Sequence, residues 1–266
     1  MATFTGRTTL KNWRAYVDGY DMSGYTRSFG PLACTFEEGV DDAITLDVKA
    51  TMVGSAQVSM GTLNGMFDNT ATSGMHARLK TVGVSRCVML ACGIQTPPID
   101  NDPVFCGRFT QLGYYATPED NPVHVTIPFG GTVDHAGNTA YARPWGTLLH
   151  AKALRLASTG VNTDIGIDQV KETDLGGYMA YQVFAGNGTA TLAIEHSITT
   201  NEDGEFIPII DTDVSKGPPV LVNFSTPKAG IVQIPKDTTV GQFVRWNITY
   251  GSATTLTFAI AFVRGN

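Results

Sequence analysis

Charge is scarce in this 266-residue chain, where Asp, Glu, Lys and Arg together make up 16% of the sequence. No block of Lys or Arg breaks that low density and the net charge is -6, so electrostatics draws neither nucleic acid nor an anionic membrane surface. A surface rich instead in Thr, Ser, Asn and Gly can be covered by neighbouring protein at modest desolvation cost. No stretch approaches 18 consecutive apolar residues, which excludes a membrane-crossing helix. The opening segment, residues 1–7, has no basic region leading into an apolar core, so export by a signal peptide is not expected.

Cysteine is equally sparse: Cys34, Cys87, Cys92 and Cys106 all lie in the first half. Cys87 and Cys92 are separated by an odd offset within an apolar run, which in a strand puts them on opposite faces. A zinc site would want a close pair with turn geometry and a second pair elsewhere. Buried free thiols in a protein assembled in the cytosol are the expectation.

Signatures of chemistry are missing too. The histidines, His76, His124, His135, His150 and His196, are scattered without metal-motif spacing. No serine or cysteine sits in a nucleophile-elbow pattern. Gly61 to Gly65 lacks the lysine and the hydroxyl residue of a phosphate loop. Glu37, Glu38, Asp41 and Asp42 fit no calcium-loop spacing. Tyr114, Tyr115, Tyr178, Tyr181 and Trp246 could suggest a sugar platform, but alternating strands place aromatics in cores anyway. The reading is of a protein that is no enzyme and takes no cofactor or metal.

What the sequence has is turns and strands, with 29 glycines and 13 prolines. Asp18-Gly19 between aromatic and apolar neighbours predicts a tight hairpin. The acidic run from Glu37 to Asp42 predicts a solvated loop, because carboxylates crowd a compact turn. Residues 44–50 alternate with period two, as a half-buried strand does, and residues 55–60 read as another extended piece. Met75, Leu79 and Val82 recur at three-to-four spacing after Thr72 or Ser73 as N-cap, predicting one short helix near 72–81. Residues 85–91 read as an apolar strand, and 104–116 with 123–129 as a hairpin. Pro128 is expected at a strand end or edge. Residues 131–146 lack a period and form the candidate linker.

In the second half, residues 178–184 and 189–197 are expected to pair across the turn at 185–188. At the end of the chain, Val244, Trp246, Ile248 and Tyr250 share one face of a strand, and Leu256, Phe258, Ile260 and Phe262 one face of its expected partner. The fold expected is all-β with one short helix, in two β-sandwich or barrel domains. The first covers residues 1–130 and the second 147–266, joined by the linker.

Several phrases resemble the major tail or tail tube proteins of long-tailed, siphovirus-like bacteriophages. They are YVDGYDMSGYTRSFG at 16–30, GTLNGMFDNTATSG at 61–74, GRFTQLGY at 107–114, VTIPFGG at 125–131, FVRWNITY at 243–250 and FAIAFVR at 258–264. The resemblance implies a virion protein, assembled in the host cytoplasm, whose sandwich domains stack in rings around a channel for DNA. A chain with two such domains implies a trimer with pseudo-sixfold symmetry, with a hexamer decorated by the second domain as the competitor. Implied partners are further copies of itself, a tape measure protein, and tail terminator and initiator proteins. DNA passes without specific binding, and no membrane is involved. Glu37, Glu38, Asp41, Asp42 and Asp47 become the candidate lumen or inter-subunit loop, with a plain solvent-facing turn as the alternative. A head decoration or other capsid-associated protein, and a receptor- or glycan-binding module, are the alternatives for the whole chain.

Overall fold

The computed structural model describes residues 8–41, 50–118, 122–132, 143–160, 163–209, 220–223 and 227–265, with the backbone alone for 38–41, 50–56, 132 and 220–223. The chain opens with β1 (Trp13–Val17) and β2 (Tyr20–Asp21), a hairpin closed by Asp18 and Gly19. Both turn residues hold positive φ, 51° and 83°, as the primed turn predicted for Asp-Gly requires. Next come β3 (Thr26–Phe29), β4 (Leu32–Asp41), β5 (Ala50–Met60) and β6 (Thr62–Met66), and then helix α1 (Met75–Leu79). The helix is shorter than its periodicity suggested: it starts after Gly74 without a side-chain cap, and Val82 lies beyond it, 49% exposed. Met75 and Leu79 are buried as predicted.

The first half ends with β7 (Ser85–Cys92), β8 (Pro103–Gln111), β9 (Tyr115–Thr117) and β10 (His124–Thr132). β10 runs through Pro128 rather than stopping there. It pairs with β6 as far as Pro128 and with β8 from Phe129 onward, so the proline stands where the strand changes partners. The second half adds β11 (Trp145–Leu156), β12 (Ile167–Asp168), β13 (Gly177–Gly186), β14 (Thr189–Ser197) and β15 (Ile207–Pro208). It closes with β16 (Val220–Asn223), β17 (Lys228–Ile234), β18 (Phe243–Tyr250) and β19 (Thr255–Arg264). The fold is therefore all-β with one short α-helix, built on antiparallel sheets.

Consecutive strands do not always pair. β13 lies in a twelve-stranded sheet between β17 and β19, while β14 lies in a five-stranded sheet between β18 and the short strands β15 and β16. The turn at 185–188 thus crosses from one sheet to the other, and the expected β13–β14 hairpin does not form. The same correction holds for β18 and β19. Their apolar faces do meet, but across the space between two sheets: Trp246 and Ile248 pack against Phe258 and Ile260 in one buried cluster.

Three cores result, separated by strands buried on both faces. In the first, Val88 and Leu90 of β7 and Phe105 and Phe109 of β8 pack against Leu63, Ile127, Met75 and Leu79. The alternate residues Met89, Ala91, Val104 and Cys106 of the same two strands point the other way. They meet Tyr178, Ala180, Ala259, Ala261 and Val263 of the second half. The small alanines in this middle layer let two sheet faces approach closely. The third core lies between β13 and β19 on one side and β14 and β18 on the other. Full burial of each large side chain in these layers is worth about 1.5–3 kcal/mol.

β11 continues the first half's sheet directly, since Trp145, Gly146 and Thr147 pair with Phe105, Val104 and Pro103. The ends of the candidate linker are thereby taken into β10 and β11, while 133–142 lie outside the described residues. A polar clasp ties the layers further. Gln182, fully buried, accepts from the Gly19 N–H at 2.6 Å and donates to the Cys87 carbonyl at 3.1 Å. Lys152 reaches Asp21 at 2.7 Å from the other half.

Candidate functional site

Among the described residues, β4 and β5 form a sheet of their own, paired antiparallel with each other and with no other strand. The pairing runs from Leu32 opposite Met60 to Phe36 opposite Ala56, is interrupted by a bulge, and resumes from Glu38 opposite Val53 to Asp41 opposite Ala50. The root of this hairpin is anchored: Val58 and Met60 are buried in the first core, with Leu32 and Cys34 packed against it. Phe36, further along β4, is 54% exposed. From Phe36 to Asp41 the strand covers ~17 Å at about 3.3–3.4 Å per residue. We call this hairpin the arm.

The acidic segment is thus strand through Asp41 and not the loop its charge suggested. Two exposed carboxylates 4 Å apart repel by ~1 kcal/mol in water. Each ladder hydrogen bond returns about as much, and β5 supplies a ladder on both sides of the bulge. Glu37 sits in the bulge, exposed, and accepts from Gln57 Nε2 at 3.2 Å. Glu38 and Asp41 lie on the β4 backbone. Asp42 and Asp47 lie outside the described residues, as do residues 44–49 of the expected strand at 44–50.

Of the histidines weighed for chemistry, His135 lies outside the described residues, and His150 and His196 are buried. His76 meets Tyr114 Oη at 3.0 Å and stacks beside Phe67. His124 lies against Arg27 on the exposed face of the sheet. The cysteines are free thiols. Burial pushes the Cys87 thiol up and those of Cys92 and Cys106 up to about 12, which holds them protonated and unreactive. Among the described residues, no group of three His, Cys, Asp or Glu could hold a metal ion. No described helix is long and apolar enough to cross a membrane.

Sequence reasoning missed the Gln182 clasp, although a glutamine inside the run from Tyr178 to Phe184 was a visible anomaly. It also missed the buried pair of Arg245 Nε and Glu195 Oε2, 2.7 Å apart, with Asn247 as a second donor to Glu195. The signal there was an outward-facing Arg and Glu on strands whose inner faces are apolar.

No family model and no curated protein matches the chain. Among solved structures, it is similar to the Dit (gp 19.1) protein of phage SPP1, described as a paradigm of the hub adsorption apparatus in phages infecting Gram-positive hosts. The identity is 11%, the TM-score 0.31, and the match covers 94% of this chain and 98% of that one. A likeness that loose carries no argument about function.

Proposed function

We propose that this chain is a structural subunit of a bacteriophage tail that polymerises into stacked rings and forms a tube for DNA delivery. The observation that carries the reading is the arm. A two-stranded hairpin is marginal alone in water, yet among the described residues β4 and β5 pair with no other strand, and Phe36 stands 54% exposed on β4. Such an element gains its support from a neighbouring copy, and a ring closes through repeated heterologous contacts of this kind. The low charge density and the resemblance to tail tube proteins support the same reading. Two sandwich cores held together through the middle layer favour three chains per ring over six. In the tail, tape measure, terminator and initiator proteins would be the partners. Carboxylates of the arm, facing the channel, would repel DNA phosphates and keep the DNA mobile.

Replacing residues 37–55 by Asn-Gly tests the arm, because Phe36 and Ala56 already face each other across the hairpin and a two-residue primed turn can join them. The shortened protein is expected to fold with unchanged thermal stability and to stay monomeric in light scattering at concentrations where the full chain assembles. Assembly equal to that of the full chain would overturn the role of the arm. Lysine at Glu37, Glu38, Asp41 and Asp42 tests the lumen: unchanged assembly and DNA delivery would remove that role.

A further inference from the structure

Two buried histidines, His150 and His196, lie at two separate points of the second-half sandwich. His150, on β11, is wholly buried between its two sheets, stacked on Phe258 of β19 at 4.2 Å and edge-on to Trp246 of β18 at 4.6 Å. Its Nδ1–H donates to the Phe258 carbonyl at 3.2 Å and its Nε2 accepts from Arg155 Nε at 2.8 Å. A second ring proton would therefore set donor against donor and cation against cation. Of the charged groups around it, Lys152 is engaged by Asp21, Asp164 reaches Arg155 Nη2 at 3.6 Å, and Asp100 accepts from the Ala151 N–H. Among the described residues, the hydrogen-bond partners of the imidazole are the Phe258 carbonyl and Arg155, not a carboxylate. Burial first, then Arg155, holds the His150 pKa down to about 3. The Phe258 face would favour a cation modestly, and the loss of water around an unpaired charge outweighs it.

His196, on β14, repeats the arrangement at β18's leading end. Its Nδ1 accepts from the Gly241 N–H at 2.7 Å. Burial and then Arg264 depress its pKa, with Glu172 opposing them. The Arg264 guanidinium donates to the Val240 and Gly241 carbonyls, both at 2.7 Å, so the same short segment is held by a base and a cation together. On this strand Glu195 is taken by Arg245. The first half has no counterpart among its described residues: His76 and His124 lie at or near its surface.

We propose that the seam between the five-stranded sheet and the inner sheet is an acid-opened latch, released when His150 and His196 take up protons while the first half stays closed. The unfolded or opened form binds a proton near pH 6.5, whereas in the closed form His150 is held down to about 3 and His196 below its ordinary value. The latch is thus fully shut above about pH 6.5, and each unit of pH below that favours opening about tenfold per histidine until the closed form also protonates.

Hydrogen exchange read by mass spectrometry between pH 7.5 and 4.5, corrected for intrinsic rates, tests this on the whole chain. Protection of β14 and β18 is expected to fall at least about tenfold more than that of β6 and β7. Replacing both histidines, His150→Gln and His196→Gln, should flatten the difference. If that variant fails to fold, NMR titration of the wild-type imidazoles still decides, since midpoints near 6.5 in the closed form overturn the proposal. Equal loss of protection in the two halves, or no loss, overturns it as well.

Discussion

Gly19 and Gln182 meet where the two halves touch, and each can be tested by one substitution. A Cβ on Gly19 would stand 2.6 Å from the Lys228 nitrogen and 2.7 Å from the Val183 carbonyl, and the residue holds φ +83°. Gly83 has a similar φ, +74°, with nothing within 4 Å. Gly83→Ala is therefore expected to cost about 1 kcal/mol for its backbone conformation alone, and Gly19→Ala clearly more, as the turn is forced off β17. Equal costs in urea denaturation would show that the close approach is unimportant. Gln182→Leu keeps the volume but strands the Gly19 N–H, and should cost about 2 kcal/mol. The Cys87 carbonyl keeps its bond from the Asp18 N–H at 3.0 Å, so the loss falls on the glycine side. A neutral result would assign the clasp to specificity of packing instead.

Strands and their faces were legible in the sequence; their neighbours were less so. Period two reports which side chains share a face, and Trp246 with Ile248, or Phe258 with Ile260, do share one. It cannot report whether the next strand in the chain lies beside that face or across from it. That is why β13 with β14, and β18 with β19, were read as hairpins when each turn passes between sheets. The Asp18-Gly19 hairpin was legible because its turn chemistry fixes the pairing locally. At Glu37 to Asp41 charge misleads, because pairing with a partner strand outweighs weak repulsion between carboxylates. Beyond the bulge, the described backbone of β4 pairs with β5. In the monomer, amides of residues 38–41 that bond within the ladder are expected to exchange with solvent at least about tenfold faster than those of 32–36. On assembly they should become protected. Exchange that stays fast in the assembled state would take the arm out of the interface.

For the whole molecule, the sequence divides into halves of similar composition, and each half closes a core of its own. What was not legible is that the halves share a third core and a continuous sheet. Its alanines, Ala180, Ala259 and Ala261, read as ordinary strand residues until the facing surface of Met89, Ala91 and Val104 is known. A chain whose two halves share a middle core, together with the β4–β5 hairpin, is the unit proposed to build the ring. Negative-stain electron microscopy of the purified full chain over rising concentration, with particle mass measured in parallel, tests that directly. Hollow cylinders with a regular axial repeat and three chains per ring are predicted. Monomers that persist at every concentration, with tail-initiator components present as well, would contradict it.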